Sequence, residues 1–439
     1  MPIEKTPYYT HSLMPDVVRI KDPVQACCIK IYIRVIFKMV KASLWTKNFL
    51  IDTIVNFLIY LVYYLLMVII TVFATNNLHA SLSEAGLASG IFILGTLLAR
   101  LLAGRSIETV GRKKMLYGGM FFYFLTTLFY FGANSLMILY VIRFFSGIGY
   151  GIASTATSTI IANIIPTERR GEGINYYGLS TSIAAAMGPF LGMFLNQHFD
   201  FTSIFIFCAV LLGLCVLVCF FLDITEIKLT PQQTAEMHEY KISNFIELNV
   251  LSIASVGVFM GLCYSSVLSF LAAYSQEINL VGAGTFYFVV YALVITISRP
   301  FTGILFDRKG ENFVLYPCYI FLAIGLYMLS QAQSSFLMLL SGAFVGLGYG
   351  TFMSNGQAVC VKLSPAHRMG IATSTYFVAL DFGLGVGPFL LGFLRPMIGF
   401  PGIYMLTAVI ALACIVLYYV LYGKKAGKEF ARIRSEMVN

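Results

Sequence analysis

Long apolar runs separated by short polar breaks extend along this chain of 439 residues. The runs are about 20 residues long, which matches the hydrocarbon thickness of a bilayer, and they lack the alternation of barrel strands. Because a backbone in lipid must satisfy its own hydrogen bonds, the runs are predicted to be helices. Twelve are predicted, at 50–74, 84–104, 114–132, 136–160, 172–196, 201–222, 250–274, 282–305, 313–332, 336–360, 370–394 and 401–422. The expected fold class is therefore an all-α polytopic membrane protein.

The polar stretches divide the chain into five parts. They are a cytoplasmic N-terminal segment 1–49, an N-terminal six-helix half 50–222, a cytoplasmic linker 223–249, a C-terminal six-helix half 250–422 and a basic cytoplasmic tail 423–439. The first segment contains an apolar run that Lys30 and Arg34 interrupt and that lacks a cleavage site, which argues against a span or a signal peptide. It is interpreted as an interfacial amphipathic helix or as an extension upstream of a start at Met39.

Composition supports a membrane protein, since 59% of the residues are hydrophobic and only 11% are charged. The net charge of +9 comes from basic residues concentrated in every second loop and in both tails, which follows the positive-inside rule. This distribution predicts cytoplasmic termini in a bacterial cytoplasmic membrane. Topology and contact with anionic lipid explain the charge, so no nucleic-acid partner is expected. The cysteines show no zinc-binding spacing, and no metal site is predicted.

Two segments of the chain repeat each other at an offset of 199 residues. The pairs include Arg100 and Arg299, Gly104 and Gly303, Glu108 and Asp307, Gly111 and Gly310, and the sequences GIGYG at 147–151 and GLGYG at 346–350. Two parallel six-helix repeats are a known transporter plan, with the substrate near mid-membrane between the halves. The duplication therefore predicts transport by alternating access.

The loop sequence GRSIETVGRKKML, residues 104–116, resembles the motif between helices 2 and 3 of the major facilitator superfamily. The chain departs from that motif at Glu108, where aspartate is usual, and at Thr109, where arginine is frequent. A carboxylate beside arginines and a helix N-terminus can hold one face closed until the halves move apart. The residues assigned to gating are Gly104, Glu108, Gly111, Arg112, Gly303 and Asp307. Topology-setting charge is the alternative interpretation.

Two further segments resemble motifs of the same family. LYVIRFFSGIG, residues 139–149, is similar to the helix 4 motif in which a membrane arginine, here Arg143, is linked to proton transfer. YYGLSTSIAAAMGPFLG resembles the helix 5 motif of bacterial drug or metabolite exporters that exchange substrate for protons, with Ala184 in place of a usual glycine. Its small residues are expected to pack helices of opposite halves together, unless they form an ordinary kinked interface. The interface set is Gly188, Pro189, Gly192, Gly387 and Pro388.

Asp381 is the one acid that the sequence places deep in the hydrocarbon, ~17 Å along its predicted helix, and Arg143 is expected about 10 Å deep. A movement that changed the separation of these two charges would bind or release a proton. The alternative is a structural Asp381, whose repeat equivalent is Ser182.

Polar and aromatic residues on predicted helices 1, 4, 7 and 10 are cavity candidates by the family resemblance, although packing surfaces are the alternative. They are Asn56, Tyr60, Tyr63, Tyr264, Asn355 and Gln357.

The sequence favours a proton-coupled exporter of a small drug-like molecule or metabolite. It would be monomeric, without cofactor, and driven by the proton gradient, since no ATP-binding loop is present in the sequence. The alternatives are a proton-coupled uptake symporter of a small polar solute, a non-transporting sensor and an intramembrane enzyme. No enzymatic activity is predicted, because one deep acid cannot form an aspartyl dyad.

Overall fold

The computed structural model describes residues 43–80, 82–224, 226–227, 229–238, 241–428 and 432. The predictions for most of segment 1–49, including the start at Met39, and for most of the C-terminal tail lie outside this part of the chain.

The described residues form eleven helical runs that are long and apolar enough to cross a membrane. The first ten correspond to α1 Lys47–Asn77, α2 Leu82–Val110, α3 Arg112–Leu128, α4 Leu136–Ile164, α5 Arg170–His198, α6 Phe201–Cys219, α7 Leu251–Glu277, α8 Val281–Lys309, α9 Glu311–Ser330 and α10 Ser335–Leu363. A short helix, Pro231–His238, lies in the linker.

The last run, Ala366–Lys428, covers 63 residues. A single helix of that size would be ~95 Å long, about three times the hydrocarbon thickness. Gly399 interrupts it with φ 65 and ψ 180, a conformation that only glycine adopts easily. We therefore divide the helical part into α11, residues 369–398, and α12, residues 400–418. The twelve predicted spans are confirmed, with ends that differ by several residues.

One difference at the helix ends affects the functional interpretation. Helices α2 and α8 continue to Val110 and Lys309, so Glu108 and Asp307 lie in last helical turns and not in loops. Gly111 and Gly310 then turn the chain with φ of 102 and 83.

The repeat also appears at helix starts. The Ser135 hydroxyl accepts a hydrogen bond from the backbone N–H of Ile138 at the start of α4, and Ser334 does the same for Leu337 at the start of α10. Both are N-caps that satisfy a backbone donor, and they are 199 residues apart.

One hydrophobic core lies within the first half, and a second core occupies the second half and extends to residues of α4 and α5. In the first half α2 packs on α4 and α1 packs on α5, while in the second half α7 packs on the α11–α12 segment. The halves meet along two seams, α2 against α11 and α5 against α8 and α10. We call these the α2–α11 seam and the α5–α8 seam. One face of the protein contains the C-terminal ends of α2, α4, α8 and α10 together with the linker. We name it the linker face.

Candidate functional site

The α2–α11 seam contains an ion pair between the halves. Arg100 Nε donates to Asp381 Oδ2 at 3.0 Å, and the two side chains are 3% and 24% exposed. Arg100 is ten residues from the end of α2 and Asp381 twelve from the start of α11, which places both ~15–18 Å from the linker face. The pair therefore lies near mid-membrane and connects the two six-helix halves.

Arg143 does not contact Asp381, contrary to the expected pairing. Its guanidinium donates to the Ala88 carbonyl at 3.0 Å, the Tyr130 hydroxyl at 3.4 Å and the Met67 sulfur at 3.1 Å. All these partners belong to the first half. Arg143 therefore stabilises contacts within the first half, and Arg100 is the arginine that contacts Asp381.

Three further charged residues are buried and were not among the predicted site residues. Arg100 and Arg299 are at most 2% exposed. The carboxylate of Asp52, in the second turn of α1, is fully buried, and neither oxygen has a hydrogen-bond partner among the described residues. The sequence contains a signal for the depth of the two arginines, because each lies ten residues before the end of its helix.

Asp307 connects α8 to α5 at the linker-face end of the α5–α8 seam. Its carboxylate accepts backbone hydrogen bonds from Gly171 at 2.7 Å and Glu172 at 2.8 Å, at the N-terminus of α5. A helix N-terminus presents free N–H groups and a positive dipole end, so this contact favours a carboxylate. Gly303 allows the approach, because a Cβ there would lie 2.7 Å from the Gly171 carbonyl oxygen.

Glu108, the repeat equivalent of Asp307, behaves differently. It pairs within its own half with Arg112, with Nη2–Oε1 at 2.6 Å and both side chains 1% exposed. Arg112 in turn donates to the Ala366 carbonyl of the other half at 3.3 Å. Gly104 supports the close approach, since a Cβ there would lie 2.4 Å from Ser374 Cβ. This latch therefore reaches the second half through arginine and not through the carboxylate.

The Gly-Pro motifs do not join opposite halves, so that expectation is wrong. A Cβ on Gly188 would lie 2.6 Å from Tyr64 Cβ on α1, and one on Gly387 would lie 2.1 Å from Ser265 Oγ on α7. Gly192 also faces α1. Pro189 and Pro388 lie inside α5 and α11. The motifs pack helices within each half, because the seam faces of α5 and α11 lie on their linker-face portions.

The predicted tyrosines form two related aromatic clusters. In the first half Tyr63 stacks on Tyr150 at 4.7 Å and on Phe92 at 5.4 Å, with Tyr60 at their edge. In the second half Tyr264 stacks on Tyr349 at 4.1 Å and on Tyr291 at 5.4 Å. Tyr63 and Tyr264 are 201 residues apart, and the other two pairs are 199 apart. The duplication thus places one cluster in each half.

The predicted amides are buried and engaged in packing. Asn56 accepts from the Tyr177 hydroxyl at 2.7 Å and donates to Ser180 at 2.8 Å, all within the first half. Asn355 accepts from Asn175 Nδ2 at 3.0 Å across the α5–α8 seam. Gln357 is 4% exposed, and its Nε2 has no partner.

Two six-helix halves of membrane-spanning length, joined at two seams with a partly buried ion pair at mid-depth, are typical of a membrane transporter. The family model for the Major Facilitator Superfamily matches residues 53–330 and 281–435, and the chain belongs to this superfamily. Its members are transporters and not enzymes.

The curated relatives and solved structures agree with this membership. An uncharacterised MFS-type transporter of Methanocaldococcus jannaschii is 23% identical over 356 residues, which cover 78% of this chain and 90% of that protein. The human organic anion transporter MFSD10 has a TM-score of 0.71 at 14% identity and covers 84% of this chain and 98% of that one. FucP in its outward conformation has a TM-score of 0.67 at 15% identity, covering 86% and 99%. At these identities the solved structures show the fold alone.

Proposed function

We propose that this protein is a proton-coupled antiporter that exports a small solute from the cytoplasm, acting as a monomer in a bacterial cytoplasmic membrane. The observation that carries the proposal is the Arg100–Asp381 ion pair between α2 and α11. It is an ionisable contact at mid-membrane that connects the two halves. The basic loops of the linker face support its cytoplasmic position by the positive-inside rule.

Protonation of Asp381 would remove the charge that attracts Arg100. The ionised pair holds α2 against α11, which favours the arrangement in which the linker face is closed by Asp307 and Arg112. A proton arriving from the opposite face neutralises the carboxylate and weakens this seam, so the linker face can open. Binding of cytoplasmic solute and release of the proton then restore the pair, and the solute leaves outward.

Arg143 has a secondary place in this scheme. The first aromatic cluster lies between Arg143 and Arg100, since the Arg143 guanidinium carbon is 4.4 Å from the Phe92 ring centroid and that of Arg100 is 5.9 Å from the Tyr150 ring centroid. We assign Arg143 to holding this cluster in place, and Arg100 to the coupling contact.

Uptake by symport is the second candidate. FucP, which shares the fold, is described as a fucose:proton symporter. The partial match of α5 to the exporter motif favours export, while the same ion pair could serve either direction of substrate movement. The direction of flux relative to the proton separates the two.

The test is a flux assay in liposomes that contain a pH-sensitive dye. A proton gradient is imposed and candidate solutes are screened for solute-dependent proton movement in wild type, Asp381→Asn, Arg100→Gln and Arg143→Gln. We expect proton movement opposite to solute movement in wild type, and a loss of at least tenfold in Asp381→Asn and Arg100→Gln.

Glu168→Gln is the matched control, because Glu168 is an exposed acid whose described hydrogen bond is with neighbouring Thr167. Proton and solute moving together would replace antiport by symport. Unchanged coupling in Asp381→Asn would contradict the proposal. Loss of coupling in Arg143→Gln with full coupling in Arg100→Gln would move the coupling contact back to Arg143.

A further inference from the structure

Arg299 is a buried cation that pairs with no acid in the described part of the chain. It is 1% exposed and lies in the α5–α8 seam, ten residues from the end of α8 and so ~15 Å from the linker face. Its Nη2 donates to the Gly350 carbonyl at 3.4 Å, whereas Nε and Nη1 have no partner in the described part of the chain. A guanidinium does not lose its proton in proteins, so the positive charge stays.

The duplication shows what this site lacks. The repeat partner of Arg299 is Arg100, which pairs with Asp381 and lies 5.1 Å from the Phe377 ring centroid. The residues 199 positions before Asp381 and Phe377 are Ser182 and Gly178. The first seam therefore supplies a carboxylate and a ring, and the second supplies a hydroxyl residue and no side chain.

Gly178 is required by the position of the guanidinium. A Cβ there would lie 2.2 Å from Arg299 Nη1 and 2.7 Å from Ser354 Oγ. The Ser354 hydroxyl is also buried, and it has no hydrogen-bond partner among the residues that the structure describes. Unsatisfied donors of two side chains thus converge at the backbone of α5, where the two halves meet.

The backbone of α10 is irregular at the same place. GLGYG, Gly346–Gly350, forms a π-turn, whereas its repeat equivalent, residues 147–151, is regular α-helix in α4. Gly350 supplies the carbonyl that Arg299 contacts. π-turns inside α-helices are frequent at functional sites. The distortion therefore occurs only in the repeat copy that holds the bare arginine.

A buried charge without a partner is costly, and the missing partner is an anion. We propose that Arg299 and the Ser354 hydroxyl bind the carboxylate of the transported solute, so that the substrate is a small organic anion. Tyr291 lies beside the π-turn, since a Cβ on Gly346 would be 2.9 Å from the Tyr291 carbonyl oxygen. The inference rests on the proposed transport function but concerns substrate binding and not proton coupling.

The test is binding without any gradient. The unfolding temperature of the purified protein in detergent is measured against rising concentrations of benzoate and lactate, with benzamide and lactamide as uncharged matches. A ligand of the folded state raises this temperature. We expect the carboxylates to raise it in wild type, the amides to leave it unchanged, and the carboxylate response to disappear in Arg299→Gln.

Ser182→Asp provides a second variant that does not remove the arginine. It would supply the acid that the repeat lacks, raise the unfolding temperature without ligand, and weaken carboxylate binding at least tenfold. Gly178→Ala should weaken binding by displacing the guanidinium, whereas Gly213→Ala, whose Cβ would meet only Phe124 at 3.5 Å, should not.

The proposal fails if neither carboxylate shifts the wild-type unfolding temperature, or if Arg299→Gln keeps the response. Asp381→Asn separates this result from the proposed coupling. Carboxylate binding that persists in Asp381→Asn while coupling is unaffected by that change would overturn the coupling mechanism and leave the anion site standing.

Discussion

The α2–α11 and α5–α8 seams are built from repeated sequence but carry different chemistry. In the first seam Arg100 meets a carboxylate, and in the second Arg299 meets a glycine backbone. At the linker face the contact between halves through a carboxylate is found in the second seam and not in the first. Asp307 contacts the opposite half directly, whereas Glu108 turns back to Arg112. The duplication supplied matching helix crossings, and divergence at a few positions gave each seam its own charge pattern.

Glu108 and Asp307 differ by one methylene group in the side chain and by the type of the residue four positions later. Four residues after Glu108 stands Arg112, while the corresponding residue after Asp307 is Glu311. A glutamate on the last helical turn can reach an arginine at i+4, and an aspartate facing an acid cannot form that pair. Glu311 instead pairs with Lys362 at 2.9 Å. The contrast predicts that loss of the Glu108 carboxylate lowers mainly the folding stability, whereas loss of the Asp307 carboxylate changes mainly the closing of the linker face.

The largest expected effect is on the buried pair of the first latch. Glu108→Gln leaves Arg112 buried without a counter-charge, and breaking a buried pair in this way costs about 3–5 kcal/mol. We expect this loss in the free energy of unfolding, measured by titration with denaturing detergent. Glu277→Gln is the control, since its pair with Arg395 is 3.8 Å long and about half exposed. Equal losses in the two variants would contradict the comparison.

The second effect concerns the carboxylate that crosses the α5–α8 seam. Asp307→Asn removes the charge that two backbone donors of α5 contact, and charge-assisted hydrogen bonds contribute about 1.5–3 kcal/mol. We expect the equilibrium to shift about tenfold or more towards an open linker face, with little loss of folding stability. Spin labels at exposed Lys114 and Lys309 would report a longer distance population.

Glu168→Gln serves as the control for this distance measurement. If Asp307→Asn lowered folding stability as much as Glu108→Gln and left the label distances unchanged, the division of roles between the latches would be lost.

The smallest effect is expected for the amide pair in the middle of the α5–α8 seam. Asn355→Ala removes a neutral hydrogen bond with Asn175, which contributes about 1 kcal/mol. We expect a shift of the label distances in the same direction as for Asp307→Asn but several times weaker. Asn175→Ala should give a larger shift, because it also removes the contact with the Thr302 hydroxyl across the same seam. The double variant should match Asn175→Ala, since the contact between the two amides is already lost in either single variant. Additive shifts would show that the two amides act separately.

Local features of the chain were predictable. The apolar runs gave twelve crossings, and counting along the helix placed Asp381 near mid-membrane, because bilayer thickness and helical rise are fixed lengths. Counting residues back from the ends of α2 and α8 places Arg100 and Arg299 at the same depth. Asp52 was harder to predict, since burial near a helix end depends on which neighbour covers it.

The roles of the motif residues depended on more than their spacing. Gly188 and Gly387 are small, as the sequence indicated, but which helix they contact follows from the rotation of α5 and α11 about their axes. In the structure they face α1 and α7, and the seam faces are formed by Gly171 and Gly370, which approach Gly303 and Gly104. Small residues indicate close packing without naming the partner.

The sequence by itself determined the class of fold, the duplication and the depth of Asp381, because hydrophobic run length and repeated motifs are properties of contiguous residues. Only the tertiary structure decided that Asp381 meets Arg100, that Glu108 turns to Arg112, and that Arg299 meets no acid among the described residues. These contacts join helices up to 281 residues apart in the chain or depend on a single rotamer. These contacts follow from the way in which whole helices cross, and no pattern of neighbouring residues in the sequence encodes that crossing.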